Sequence, residues 1–188
     1  MQQILPRDLR RRAALLLLLA VVFAPSATNA SAATTLQARN AMEGSLLDRI
    51  NDVRAAHGLR PLSMSSALTK AATKHANSMG NNGYFKHELY TPSKRTTWTG
   101  FSTWIRWYWP GPGYTSWSAG ENIAWGAPDI SSSQTVQWWM NSAPHRANLL
   151  SPGWRRIGLA AVHVVDPKGY FGDWSEVTIV VADFGKRS

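Results

Sequence analysis

Two apolar runs near the end of the chain, separated by a turn signal, narrow its fold more than any other stretch. Residues 157–165 are largely apolar, and residues 177–184 are richer still in β-branched side chains. Between them stands Asp166-Pro167-Lys168-Gly169. Pro presets φ, while Asp and Gly tolerate left-handed backbone, so this reads as the turn between two strands. Upstream, the recurring apolar periods are helical. Strands last and helices first imply an α+β domain, with helices packed on a mostly antiparallel sheet. No internal repeat is visible.

Three main helices are expected. Leu46, Leu47, Ile50 and Val53 recur at helical spacing after Gly44-Ser45, and Gly58 stops them. Ser65 or Ser66 caps a second helix through Leu68, Ala71, Ala72, His75, Ala76 and Met79, which Gly80-Asn81-Asn82-Gly83 ends. Ser131-Ser132-Ser133 caps a third, with Val136, Trp139 and Met140 on one face, stopping near Ala143-Pro144. Residues 145–150 read as a short turn. Residues 90–119 hold Trp98, Trp104, Trp107, Trp109 and Trp117, with a short helix around Phe101, Trp104 and Tyr108 before the Pro110-Gly111-Pro112-Gly113 loop.

The N-terminus is set apart. Arg7, Arg10, Arg11 and Arg12 precede an apolar run over 13–24, followed by Pro25 and the small residues Ala30-Ser31-Ala32. Basic start, short apolar core and small-residue exit describe a secretory signal peptide over 1–32. The core falls short of the roughly 20 apolar residues of a membrane span. Residues 33–44 read as a flexible lead-in, and 45–188 as one domain, long enough to build a core.

Of the 20 Lys and Arg, four lie before residue 31, as does one of the 11 Asp and Glu, so the remainder carries a net charge of +6. The basic residues are scattered, the longest runs being pairs such as Lys94-Arg95 and Arg155-Arg156. No basic stripe stands out, which argues against a nucleic-acid partner. A mildly basic secreted protein is attracted to anionic cell wall or lipid headgroups. With no cysteine, thiol catalysis, cysteine–zinc sites and disulfide scaffolds are excluded.

The candidate chemistry lies in three separate segments: Y-F-K-H-E at 84–88, G-E-N-I-A at 120–124 and N-S-A-P-H-R-A-N-L-L at 141–150. Each carries one candidate, His87, Glu121 or His145. Two imidazoles and a carboxylate suit zinc or another divalent metal, with an open fourth position, and equally suit acid–base work near neutral pH. They also suit a polar clasp, in which Glu121, in a Gly-flanked turn, bonds to backbone N–H groups or an imidazole. No H-E-x-x-H helix is present. A Ser142–His145–Asp183 triad can be drawn, but no G-x-S-x-G elbow accompanies it. His57, His75 and His163 read as surface or satisfied core residues.

These segments resemble a family. L-L-D-R-I-N-D-V-R-A-A-H-G-L-R-P-L at 46–62, F-K-H at 85–87, G-E-N-I-A at 120–124, W-M-N-S-A-P-H-R-A-N-L-L at 139–150, I-G-L-A at 157–160 and D-F-G at 183–185 are similar to the CAP superfamily of cysteine-rich secretory, antigen 5 and pathogenesis-related proteins. The chain looks most like its cysteine-free, SCP-like bacterial branch. The resemblance implies an α-β-α sandwich and a cleft with two His and two Glu. His87, Glu121 and His145 match three of these, and the fourth position falls at about Ser142, which holds no charge.

The expectation is therefore a secreted, monomeric, non-enzymatic binding module for a lipid, glycan or cell-wall ligand, with a cleft able to bind a divalent metal. A metal-assisted peptidase or cell-wall hydrolase is the alternative. Ser142, Asn122, Trp104, Trp107 and Trp117 are the expected lining of a ligand groove, since aromatic faces stack on sugars or lie against lipid.

Overall fold

The structure, a computed structural model, describes residues 27–93 and 97–188. The expected leader falls mostly on residues 1–26, outside the described residues, as does the Lys94-Arg95 pair.

Helix α1 (Ala27–Ala56) starts earlier than the sequence pattern indicated. The expected lead-in over 33–44 is helical instead. Residues 37–43 are mostly good helix formers, and Arg39 and Glu43 pair one turn apart at 3.7 Å. Gly44 inside the helix costs about 1 kcal/mol relative to alanine. Packing by Met42, Leu46 and Ile50 just beside it outweighs that cost. Gly58, with φ +68°, turns the chain beyond its end.

Strand β1 (Ser63–Met64) leads into α2 (Ser66–Asn82), where the Ser65 side chain accepts from the Leu68 amide and Gly83 closes the helix at φ +63°. Strands β2 (Leu89–Tyr90) and β3 (Trp98–Thr99) form a small antiparallel ladder. Helix α3 (Phe101–Trp104) runs into a 3-10 turn. Then come β4 (Trp117–Gly126), α4 (Ser132–Asn141), α5 (Ala143–Leu149), β5 (Arg156–Val165) and β6 (Glu176–Arg187). A reciprocal capping box between Ser131 and Gln134 starts α4.

The main sheet has the order β1-β5-β6-β4. Strand β6 runs antiparallel to both neighbours, and β1 joins β5 in parallel. Side chains alternate across β6. Val180, Ala182 and Phe184 pack with Leu46, Ile50 and Trp139 from α1 and α4. Val177, Ile179 and Val181 pack with Ala72, Ala76 and Met79 from α2. Burying each such Val or Ile contributes about 1.5–3 kcal/mol, so both faces of β6 drive the layering. The result is the expected α-β-α sandwich.

The approach of α2 to the sheet depends on Gly158 in β5. A Cβ there would overlap the Leu68 carbonyl carbon and the Thr69 amide nitrogen, both backbone atoms. That contact sets the depth of α2 and hence the position of His75 on its inner face.

Candidate functional site

Glu121 lies in the middle of β4, not in a turn as its flanking glycine implied. Its neighbour across the ladder is Asp183 of β6. Directly paired residues project from the same face of a sheet, here the face covered by α2. The Glu121 side chain is 1% exposed. A carboxylate this deep needs donors, and it has two. His75 Nδ1 donates to Oε2 at 2.6 Å, and His87 Nδ1 donates to Oε1 at 2.8 Å. Because an ionised carboxylate only accepts, both rings carry their proton on Nδ1. His75 is fully buried, and its Nε2 has no partner among the described residues. The His87 side chain is half exposed.

His75 is thus a member of the cluster that sequence reasoning left as a surface or satisfied core residue. The signal was available. A histidine in the middle of an Ala-rich apolar helix face must find a polar partner when buried. Asp183, drawn from the sequence only as the acid of a Ser142–His145–Asp183 triad, instead stands beside Glu121 as the second such member. It is fully buried, and neither oxygen has a donor among the described residues. Beside Glu121, two ionised carboxylates would repel and share no proton. Burial pushes the Asp183 carboxyl well above the usual range, and the Glu121 charge pushes the same way. Asp183 is therefore the member of the pair that keeps a proton.

His145, on α5, is placed by an amide relay. Asn122 Nδ2 donates to the His145 carbonyl at 3.0 Å. Asn148 Nδ2 donates to Asn122 Oδ1 at 2.9 Å and to the Glu121 carbonyl at 3.0 Å. The His145 ring meets the Ser142 hydroxyl through Nδ1 at 2.8 Å. Ser142 therefore engages the imidazole without supplying charge.

The two outer imidazoles are driven apart electrostatically. The hydrogen bond to Glu121 raises His87 above its ordinary value, against the opposing pull of partial burial. Burial lowers His145, and the charge of His87 lowers it further. His87 therefore keeps its proton to higher pH than an ordinary imidazole, and His145 gives its proton up at lower pH. His87, Glu121 and His145 belong to one neighbourhood, with His75 and Asp183 beneath.

The expected three-ligand metal site does not fit this geometry. Both oxygens of Glu121 already accept from imidazoles, and among the described residues no group of three His, Cys, Asp or Glu is placed to hold a metal ion. The expected groove also changes. Asn122 and Trp104 are fully buried and cannot line it. Trp104 donates through Nε1 to the His87 carbonyl at 3.1 Å and packs on the His75 ring at 4.9 Å, so it anchors the loop bearing His87. Trp107 is 57% exposed, and Trp117 is partly covered, with Arg106 over its ring. Four cavities of about 380, 410, 460 and 540 Å³ open elsewhere, and none of them is lined by His87, Glu121 or His145.

Known proteins share this architecture. The model of the cysteine-rich secretory protein family, CAP, matches residues 47–184. The uncharacterised protein YkwD of Bacillus subtilis is 30% identical over 123 residues, which are 65% of this chain and 43% of that protein. The uncharacterised membrane protein YlbC of the same organism is 30% identical over 130 residues, 68% of this chain and 32% of its own. The chain thus matches less than half the length of either relative.

Among solved structures, an extracellular protein containing an SCP domain from Bacillus anthracis aligns with a TM-score of 0.58 and 24% identity, over 78% of this chain and 40% of that one. An outer surface protein of Borrelia burgdorferi aligns with a TM-score of 0.59 and 24% identity, over 76% of this chain and 90% of that one. These two likenesses concern the fold. With the family model running from α1 into β6, the chain belongs to the cysteine-rich secretory protein family.

Proposed function

We propose that the chain is a non-enzymatic extracellular binding module whose ligand is a glycan or another cell-wall component. One observation carries this reading: Glu121 has both oxygens committed to His75 and His87. The carboxylate that would serve as base or metal ligand is instead the buried knot of a clasp joining α2, β4 and the loop before β2. What the clasp offers outward is one imidazole that holds its proton more firmly than usual beside one that holds it less firmly, a donor and an acceptor that suit hydroxyl-rich or carboxylate-bearing ligands. Exposed Trp107 supplies an aromatic face on the neighbouring segment. Secretion is inferred from the sequence of the leader and from likeness to relatives described as extracellular and outer surface proteins.

The test is a thermal-shift panel of soluble peptidoglycan fragments, other glycans and lipid micelles, run beside a product analysis of the same incubations. A true ligand at a hundredfold excess over Kd adds about 2.7 kcal/mol of stability. Melting temperatures that stay flat across all three classes sink the binding reading. Released sugars or peptides sink the non-enzymatic part. The opposed pKa shifts of His87 and His145 favour that second reading, a hydrolase in which His145 takes a proton and His87 gives one. In that case His145→Ala abolishes product without changing the fold.

A further inference from the structure

The fold gathers arginines that the sequence scatters. Arg60 precedes β1, Arg155 and Arg156 stand at the start of β5, and Arg187 ends β6. The ladder sets Ser63 beside Arg156, and Arg156 beside Gly185. The four arginines, with Pro61, Ser63 and Tyr114, line a cavity of about 460 Å³. No Asp or Glu lines it, and none of the four has an ion-pair partner among the described residues.

A fifth guanidinium, that of Arg54, is fully buried nearby and feels the charge of Arg155. It donates only to carbonyls, those of Arg60, Leu149 and Ser151. Its charge therefore also goes uncompensated by any carboxylate.

Two of the lining arginines are already held in place by neutral groups. The Arg187 guanidinium lies 4.3 Å from the ring centres of both Trp109 and Tyr114, and its Nη1 donates to the Pro110 carbonyl. Arg155 Nη1 donates to the carbonyls of Pro152 and Trp154 at 2.7 and 2.8 Å. Side chains fixed this way lose little freedom when an anion arrives. Arg60 and Arg156 are exposed and make no side-chain hydrogen bond among the described residues, so their forks are available. Planar guanidinium forks match the oxygens of phosphate two at a time. The volume exceeds the needs of a lone oxyanion and lies in the range of small-molecule sites, about 300–1,000 Å³.

We propose that this arginine-lined cavity at the end of the sheet binds a phosphate-bearing anion. It shares no lining residue with the His87–Glu121 cluster and stands whether or not that cluster binds a ligand.

The test uses the full chain and two double variants, Arg60→Gln/Arg156→Gln and Lys70→Gln/Lys74→Gln. The second removes equal charge from the exposed face of α2. Calorimetric titration with inorganic pyrophosphate is expected to show binding that weakens at high salt. The arginine pair is expected to lower affinity at least tenfold, and the lysine pair to leave it within twofold. Arg156→Gln alone, a single exposed change, repeats the comparison should the double variant unfold, with an expected loss of about threefold. In parallel, vesicles of phosphatidylglycerol are compared with phosphatidylcholine by co-sedimentation. Binding to pyrophosphate alone assigns a free or polymer-borne phosphate, and binding to phosphatidylglycerol vesicles assigns a lipid headgroup. Failure to bind either probe overturns the proposal. So does an equal loss from the arginine and lysine variants, which would mark simple attraction by net charge.

Discussion

Asp183→Asn should flatten part of the pH dependence of folding. In the native chain Asp183 is sealed beside Glu121 and holds its proton well above the ordinary value of 3.8. An acid whose folded pKa is raised stabilises the fold fully below its unfolded value, and loses that contribution as pH rises through the folded one. Over that window the native chain should lose about 1.4 kcal/mol per pH unit from this single proton. An amide at 183 has nearly the same shape and does not titrate. Taking a urea m-value of about 2 kcal/mol/M, the midpoint difference between the two proteins should change by about 0.7 M per pH unit. Urea melts from pH 4.5 to 8.5 at constant salt measure it. The shifted imidazoles of His87 and His145 lie nearby, but they are common to both proteins, so the difference reports residue 183. Parallel midpoint curves would refute the claim that the fold keeps this carboxyl protonated.

Three further outcomes are expected. Gly158→Ala should destabilise by about 3 kcal/mol or more, at or beyond the top of the usual overpacking range, because backbone meets backbone at that point; an unchanged urea midpoint would disprove the close approach. His87→Ala should move the titration of His145 upward, toward 6.5, because a positive neighbour is removed while burial remains. Proton NMR of the His145 ring reads this directly, and an unmoved or lowered value would contradict the proximity of the two rings. Excess chelator should leave the melting temperature unchanged, since the Glu121 oxygens are already engaged; a drop reversed by zinc would restore the metal reading.

The sequence was most legible where local chemistry decides the structure. Ser65 and Gly83 bracket α2, Ser131 starts α4, and the apolar runs of β5 and β6 stand where their composition places them. Strand β4 was not legible, because Gly120, Glu121, Asn122 and Gly126 are poor strand formers on their own. Ten residue pairs with β6 hold it extended. Helix α5 was hidden by Pro144, which reads as a breaker but sits in the first turn, where its missing N–H costs nothing. At the candidate site, the motif segments identified the residues at the rim. The floor, His75 and Asp183, came from elements whose meeting depends on helix depth and strand register, neither of which a single segment encodes.

The outermost position of β4 has one more effect. A strand at the end of a sheet exposes a row of backbone acceptors that another extended chain can pair with. Here the carbonyls of Glu121 and Ile123, alternate residues facing one way, are taken by the side chains of Asn148 and Trp139. Asn148 and Trp139 thereby also blunt a template for intermolecular β-pairing, and losing them would favour sticking between copies as much as loosening within one.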